Sequence, residues 1–362
     1  MHAAVLIGAG DRGSVYAKTL GELNIPIASI YDIDKERAAN LAQKLKGYST
    51  PKIAGTLEES LNTPGADMAF ICIPAYYHAD YAMKAIHCGL HVLIEKPFDL
   101  DYGKAEELGI LARRKNRILA VGHQYRNYRN MRSLKDIMEF DLIGRPAVLR
   151  FTDIRECRPK IAMHDAEKGN CGPMMDMSCH FVDIMQWAFK SKPVKVTARH
   201  MTYSKYHERY AGISYKAPDT GIIMAEFASG DIGMITVCWG IENGVASSSP
   251  IDGFGPKGFI RPFQLWDIND SVTVNTPKGD IQVEFSEEEQ LKFRFPEKTT
   301  VEYFVAAIEG TGEVQVGFND AITALTTTLA SLKSSVSHRS ENLVGIIEEK
   351  PNAITCLNIH DI

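Results

Sequence analysis

At 362 residues the chain exceeds what one hydrophobic core ordinarily supports, so two domains are expected. Hydrophobic residues make up 45% and charged residues 23%, the balance of a globular protein and not of a disordered or fibrous one. The net charge is −5 and the densest basic run, Arg113-Arg114-Lys115-Asn116-Arg117, is short, which excludes the concentrated basic face that nucleic acid requires.

The chain opens on Met1-His2-Ala3-Ala4-Val5-Leu6-Ile7, without the basic segment or long apolar segment of an export signal. No apolar run approaches the roughly 20 residues that span a bilayer. The seven cysteines are scattered and none forms a Cys-x-x-Cys pair, which suits reduced thiols. A cytoplasmic protein with neither a membrane nor a nucleic-acid partner is expected.

Strands are predicted at 3–7, 27–31, 68–73, 91–94 and 118–121, each apolar nearly throughout, as in a parallel sheet covered on both faces. Helical patterns at 35–45, 77–88 and 102–115 separate them. Residues 1–122 thus read as a doubly wound, Rossmann-type α/β domain. Gly8-Ala9-Gly10-Asp11-Arg12-Gly13 follows the first strand and opens the first helix. In that setting Gly8 permits a tight turn, Gly10 lets backbone approach a pyrophosphate, and Gly13 lets helix and strand pack closely. Asp11 and Arg12 lie in the same loop, at a helix N-terminus suited to phosphate.

Asp32 ends the second strand, where a carboxylate accepts hydrogen bonds from the adenosine ribose and repels a 2′-phosphate. NAD is therefore the expected cofactor, with NADP second. Asp34 is the better cap for the helix that follows, which leaves Asp32 for the ribose. Two further loops end strands on the side where open α/β sheets bind ligands. One carries Ile73, Pro74 and His78; the other is Glu95-Lys96-Pro97. The proline holds Lys96 extended. Glu95 and Lys96 either stabilise that turn as a pair or serve the site.

From residue 145 on, β-rich segments at 147–153, 194–201, 221–228, 232–238, 259–265 and 281–285 predict a mostly antiparallel, open sheet. Residues 123–362 read as a second, α+β domain. Residues 243–261, rich in Gly, Ser and Pro, read as a loop, and a last strand is expected near 344–347. One helix interrupts the pattern, from Pro173 to Trp187, and places Asp176 and His180 on one face at i, i+4. Asp176 can orient the imidazole; Asp183, at i+3, can do so instead. Tyr125 and Arg126, just past the first domain, and Arg155 and His164, before the helix, are candidate substrate residues. Cys157, His164, Cys171, Cys179 and His180 match no compact zinc spacing, so no metal is expected.

Gly8-x-Gly10-x-x-Gly13, Glu95-Lys96-Pro97 and Gly172-Pro173-Met174-Met175-Asp176-Met177-Ser178-Cys179-His180, in that order, make the chain similar to the glucose–fructose oxidoreductase / inositol dehydrogenase / MocA (Gfo/Idh/MocA) family over nearly its whole length. The resemblance implies a Rossmann domain plus an open sheet through which dimers or tetramers form. It implies hydride transfer between nicotinamide and a sugar or cyclitol carbon. By position Lys96 resembles the family lysine that meets substrate and nicotinamide, His180 the acid/base and Asp176 its partner. Asp11-Arg12 and Ser178-Cys179-His180 resemble one branch whose members often carry lysine at the Asp176 position; this chain keeps the aspartate. Two alternatives stand beside a dehydrogenase: a redox-neutral enzyme that retains NAD and cleaves glycosides, and a non-catalytic sensor of sugar or NAD.

Overall fold

Runs such as Ala-Val-Leu-Ile, with no polar residue to turn toward water, belong in a strand covered on both faces. The computed structural model describes residues 2–343 apart from 168 and 268–270, and shows such runs within a six-stranded parallel sheet. Its strands are β1 (Ala4–Ile7), β2 (Ile27–Tyr31), β3 (Lys52–Ile53), β4 (Met68–Ile71), β5 (His91–Ile94) and β6 (Leu119–Val121), in the order β3-β2-β1-β4-β5-β6. Helices α1 (Asp11–Glu22), α2 (Lys35–Lys44), α3 (Leu57–Leu61), α4 (His78–His87) and α5 (Tyr102–Arg114) connect them. The order reverses between β1 and β4, which makes the crevice at their C-terminal ends the place for a ligand. The short β3 escapes sequence reading because Lys52 and Ile53 are too few to show a period.

The second unit begins with α6 (Arg129–Glu139), β7 (Val148–Glu156), the single turn α7 (Ile161–His164) and α8 (Gly172–Phe189). Then come β8 (Pro193–Met201), β9 (Thr220–Phe227), β10 (Ile232–Ile241), β11 (Pro250–Gly255), β12 (Gly258–Gln264), β13 (Val272–Thr276), β14 (Gly279–Val283) and α9 (Glu287–Lys292). The nine-stranded sheet runs β14-β13-β12-β11-β7-β10-β9-β8 and ends on β15 (Glu341–Asn342). Every pairing is antiparallel except β7 with β10. The register separates its two faces. Ala198, Ile223, Ile235, Phe151 and Ile251 lie opposite one another and are buried, in one core with Phe181 and Met185 of α8. The other face carries Ile222, Met234, Phe254 and Phe259, all exposed.

Within residues 243–261, expected as a loop, β11 forms and pairs as a hairpin with β12, which lies where the strand at 259–265 was expected. Glycine usually weakens a strand, but here a Cβ on Gly253 would strike Leu149 at 2.6 Å and one on Gly255 the Ile143 carbonyl oxygen at 2.5 Å. The glycines are what close approach to the neighbouring chain demands. The strand expected near 344–347 lies outside the described residues.

After α9 the chain forms α10 (Pro296–Ile308) and α11 (Phe318–Ser337). Two compact units result: residues 2–99 with Lys104–Gln124 and Phe295–Ala321, and Leu100–Gly103 with Tyr125–Arg294 and residues 322–343. The chain passes between these units at 99/100, 103/104, 124/125, 294/295 and 321/322. In the first unit Phe304 of α10 stands edge-on to Phe70 of β4 at 5.9 Å. Both helices are rich in Thr, Ser, Val or aromatics, residues of modest helix propensity, which hides them from sequence reading. In α11, Thr326, Thr327 and Thr328 donate back to the carbonyls of Ile322, Thr323 and Ala324, so their hydroxyls are satisfied inside the helix. No described helix is long and apolar enough to cross a membrane.

Candidate active site

At the end of β1 the chain turns through Gly8, whose φ of +95° is one that L side chains rarely adopt. A Cβ there would also lie 2.3 Å from the Cys72 carbonyl oxygen, and one on Gly13 would lie 2.0 Å from the Gly8 carbonyl oxygen. Around Gly10 nothing lies within 4 Å of the same construction, and no side chain caps the helix that starts there. Two glycines thus close the turn, and the third keeps a cradle open at a helix N-terminus. That is the arrangement a dinucleotide pyrophosphate requires.

Asp32 sits beside this loop, 8% exposed. Its Oδ2 accepts from the Ala9 amide at 2.7 Å and its Oδ1 from the Asp34 amide at 2.9 Å, which fixes the carboxylate at the end of β2. Asp34 caps α2, its side chain accepting from the Arg37 amide, so Asp32 is not that helix's cap. Arg37, which sequence reading did not single out, places Nη1 4.0 Å from Asp32 and Nη2 3.4 Å from Asp34. With Ala9, Ser14 and Asn40 it lines a depression beside the loop. These residues fit a nicotinamide adenine dinucleotide.

Arg12 turns inward. Its Nε and Nη2 donate to Glu95 Oε1 at 3.0 and 2.8 Å, and Nη1 donates to Glu297 at 3.2 Å. Burial opposes the charge, yet Glu95 and Glu297 hold the Arg12 pKa above its ordinary value. The residue braces the glycine loop against the end of β5. Tyr16 lies in the same cluster, and burial first, then the Glu95 charge, raises its pKa well above the usual phenol value. Lys96 follows Glu95 in a half-buried position before a cis peptide to Pro97. The buried His78 spans the two expected loops, Nδ1 lying 2.7 Å from the Pro97 carbonyl oxygen and Nε2 2.8 Å from that of Ile73. Burial lowers its pKa, while the two carbonyls and the Glu95 charge work the other way. Pro74 opens the short helical turn between Ile73 and His78.

In the second unit α8 is buried along every residue but Trp187, a helix apolar enough to sit wholly inside the domain. Pro173 occupies its first turn. Asp176 and His180 are 3% and 1% exposed. The Asn170 side chain donates to Asp176 Oδ1 at 3.1 Å. Tyr125 stacks on His180, ring centroids 3.9 Å apart and planes 8° from parallel. Burial first, then the Tyr128 and Asp153 charges, raises the Tyr125 pKa well above its usual value; Arg155 works against this and Asp176 with it. The same groups therefore surround one phenol. His164 stacks on Tyr210 at 4.1 Å, and burial lowers its pKa to about 4 although Asp219 and Asp176 pull it upward. Its two ring nitrogens are buried with no hydrogen-bond partner among the described residues.

Arg126 points elsewhere. Its Nε and Nη2 donate to the two Asp183 oxygens at 2.9 and 2.6 Å, with side chains 5% and 1% exposed. Asp183, the alternative carboxylate for His180, is thus engaged by a guanidinium. Removing one partner of a buried pair strands the other's charge. Asp183→Ala should accordingly destabilise the protein by about 3–5 kcal/mol, read as a lower denaturant midpoint with an unchanged slope.

A buried polar network stands next to Tyr125, and sequence reading found only one of its members. Asp153 accepts from Trp239 Nε1 at 2.7 Å, Ser249 Oγ at 2.6 Å and Arg155 Nε at 2.8 Å. Trp266 donates to Ser249 Oγ at 3.2 Å and stands edge-on to Tyr125 at 5.7 Å. Its members come from β7, β10 and the segments around β11 and β12, separations that no local pattern exposes. No group of three His, Cys, Asp or Glu side chains suited to a metal ion is present among the described residues.

Residues 3–123 match the family model described as the oxidoreductase family with an NAD-binding Rossmann fold, Gfo/Idh/MocA, and residues 131–259 match that family's C-terminal domain. Among curated relatives, the myo-inositol 2-dehydrogenase of Thermotoga maritima is 26% identical over 259 residues, 70% of this chain and 73% of the relative. The 1,5-anhydro-D-fructose reductase of Ensifer adhaerens is 23% identical over 88% of this chain and 91% of its own. Among solved structures, an NAD-binding oxidoreductase from Klebsiella pneumoniae superposes with a TM-score of 0.80 over 95% of this chain and 99% of its own, at 20% identity. With the open glycine cradle, the oriented Asp32 and the two-sheet architecture already in place, the chain belongs to the Gfo/Idh/MocA family of NAD-binding oxidoreductases.

Proposed function

We propose that the protein moves a hydride between a nicotinamide and a secondary hydroxyl or carbonyl of a sugar, sugar derivative or cyclitol. The observation that carries this reading is His180, an imidazole on a buried helix, stacked on a tyrosine, with Asp176 one turn before it. When bound, NAD supplies the acceptor for the hydride. Alcohol oxidation also releases a proton from oxygen, and the chain must take it. In this reading His180 is that base, and the acid in the reverse direction. Asp176, held by Asn170, positions the imidazole or a substrate hydroxyl. Lys96 polarises the reacting oxygen, stabilising negative charge as it develops there. Tyr125 packs flat against one face of the imidazole, which restricts how the ring can turn.

The glycine loop, Asp32 and the 73–78 and 95–97 loops hold the cofactor in this scheme. The Asp32 carboxylate favours NAD over NADP because it meets a ribose hydroxyl as acceptor and a 2′-phosphate as a like charge. The expected result is reduction of NAD by at least one compound of a panel of cyclitols, aldoses and uronates, with NADP at least tenfold poorer in kcat/KM. Asp32→Ala should narrow that preference, since Arg37 would remain. Activity without added NAD, from protein that carries the cofactor through purification, would replace this reading with the redox-neutral one. Failure to bind either nucleotide would end it.

The exposed Ile222, Met234, Phe254 and Phe259 on the open sheet face support a homodimer or homotetramer formed through that face. Light scattering after size exclusion tests this, with Met234→Lys expected to dissociate the assembly. A cytoplasmic location belongs to the same reading.

A further inference from the structure

Arg155 is built unlike an ordinary surface arginine. Its Nε donates to Asp153, a carboxylate with no exposure, already serving Trp239 and Ser249. Two indoles flank it: the guanidinium carbon lies 4.2 Å from the Trp266 ring centre and 4.9 Å from that of Trp239. What remains is the edge, and there Nη2 is buried with no hydrogen-bond partner among the described residues. A guanidinium donates and never accepts, so the missing group must be an acceptor. A buried charged donor left unsatisfied is costly, and a site that keeps one keeps it for a ligand or water.

Charge selects among acceptors. Arg158 lies over the same Trp239 ring at 5.1 Å and has no ion pair among the described residues. Two cations therefore share one indole, and Asp153 is paired with Arg155 alone, so the two arginines and this carboxylate leave an excess of positive charge. Asp176 supplies negative charge one turn before His180 on α8. An acid group is thus drawn to the Arg155 end and repelled from the His180 end. The distance between the two ends is that of one aromatic cluster: Trp266 is edge-on to Tyr125 at 5.7 Å, and Tyr125 stacks on His180 at 3.9 Å.

We propose that Arg155, supported by Arg158, reads a carboxylate on the substrate, and that the substrate class is an acidic sugar or cyclitol derivative such as a uronate or aldonate. This rests on the function proposed above. A planar carboxylate matches the unsatisfied edge of a guanidinium flanked by two indoles, and it takes two parallel hydrogen bonds there. Arg155 is a specificity residue in this scheme; the proton stays with His180.

The test compares kcat/KM for D-glucuronate and D-galacturonate with D-glucose and D-galactose, and D-glucose 6-phosphate as a second anion. The acids should exceed their neutral counterparts by about 10- to 100-fold, the effect of a charge-assisted hydrogen bond. Arg155→Met should collapse that ratio mainly through KM, and Arg155→Lys should restore part of it. Because Asp153 loses a partner in the methionine variant, Arg158→Met gives a second measure, with the ratio expected to fall several-fold in a protein that melts as the wild type does. Neutral sugars favoured by the wild type, the phosphate favoured over both acids, or a ratio unmoved by these substitutions would overturn the proposal. If no compound turns over, NAD titration shows whether the oxidoreductase reading has failed. The carboxylate site is then decided separately by tryptophan fluorescence, since two of the three tryptophans flank Arg155. Saturable quenching by glucuronate that Arg158→Met weakens supports it, and no quenching overturns it.

Discussion

Replacing His180 with alanine should lower kcat roughly 10²- to 10⁴-fold and leave the affinity for NAD unchanged. The size follows from the role: a positioned acid/base contributes on that scale, and water is a poor substitute where the side chain is 1% exposed. The separation of effects follows from the location, since the glycine loop and Asp32 belong to the first compact unit and His180 to the second. The alanine also loses a stacked ring contact with Tyr125, worth about 0.5–1.5 kcal/mol, so the variant should melt somewhat earlier while remaining folded. Steady-state turnover, NAD titration and a thermal melt on one preparation check all three. Turnover within tenfold of the wild type would move proton transfer to another group.

The second large effect is a contrast between two glycines three residues apart. Valine at position 10 meets no protein atom within 4 Å at its Cβ, so the fold should tolerate it and the melting temperature should hold. It fills the cradle, and NAD affinity should fall by at least two orders of magnitude. Valine at position 13 brings its Cβ 2.0 Å from the Gly8 carbonyl oxygen, so stability and NAD affinity should fall together. Calorimetry of apo protein with and without NAD separates the two. Unimpaired NAD binding by Gly10→Val would remove the loop from the cofactor site.

These two sites differ in how far the sequence announced them. The Rossmann strands were legible because burial on both faces leaves unbroken apolar runs, and the glycine loop because turn, cradle and packing each exclude a side chain. Asp176 and His180 were legible as a pair because an α-helix puts i and i+4 on one face. Arg126 and Asp183 were not legible as partners; they stand 57 positions apart, and only the packing of α8 shows that each answers the other. The same holds for Asp153, whose three donors come from Arg155, Trp239 and Ser249. Helices α10 and α11 were missed for a local reason, since threonine, serine and β-branched residues argue against a helix until tertiary burial overrides them.

The return of α10 to the first unit has a consequence for how the protein is made. A ribosome releases residues 1–124 early, and these contain all six strands of the parallel sheet. Yet Phe70 gains its edge-on partner Phe304, and Arg12 its contact with Glu297, only when Phe295–Ala321 has emerged. Eight of the nine strands of the other sheet are synthesised in between. The nascent first domain must therefore wait with an unfinished flank, a period in which chaperones have apolar surface to grip. A fragment cut after residue 124 would be caught permanently in that state.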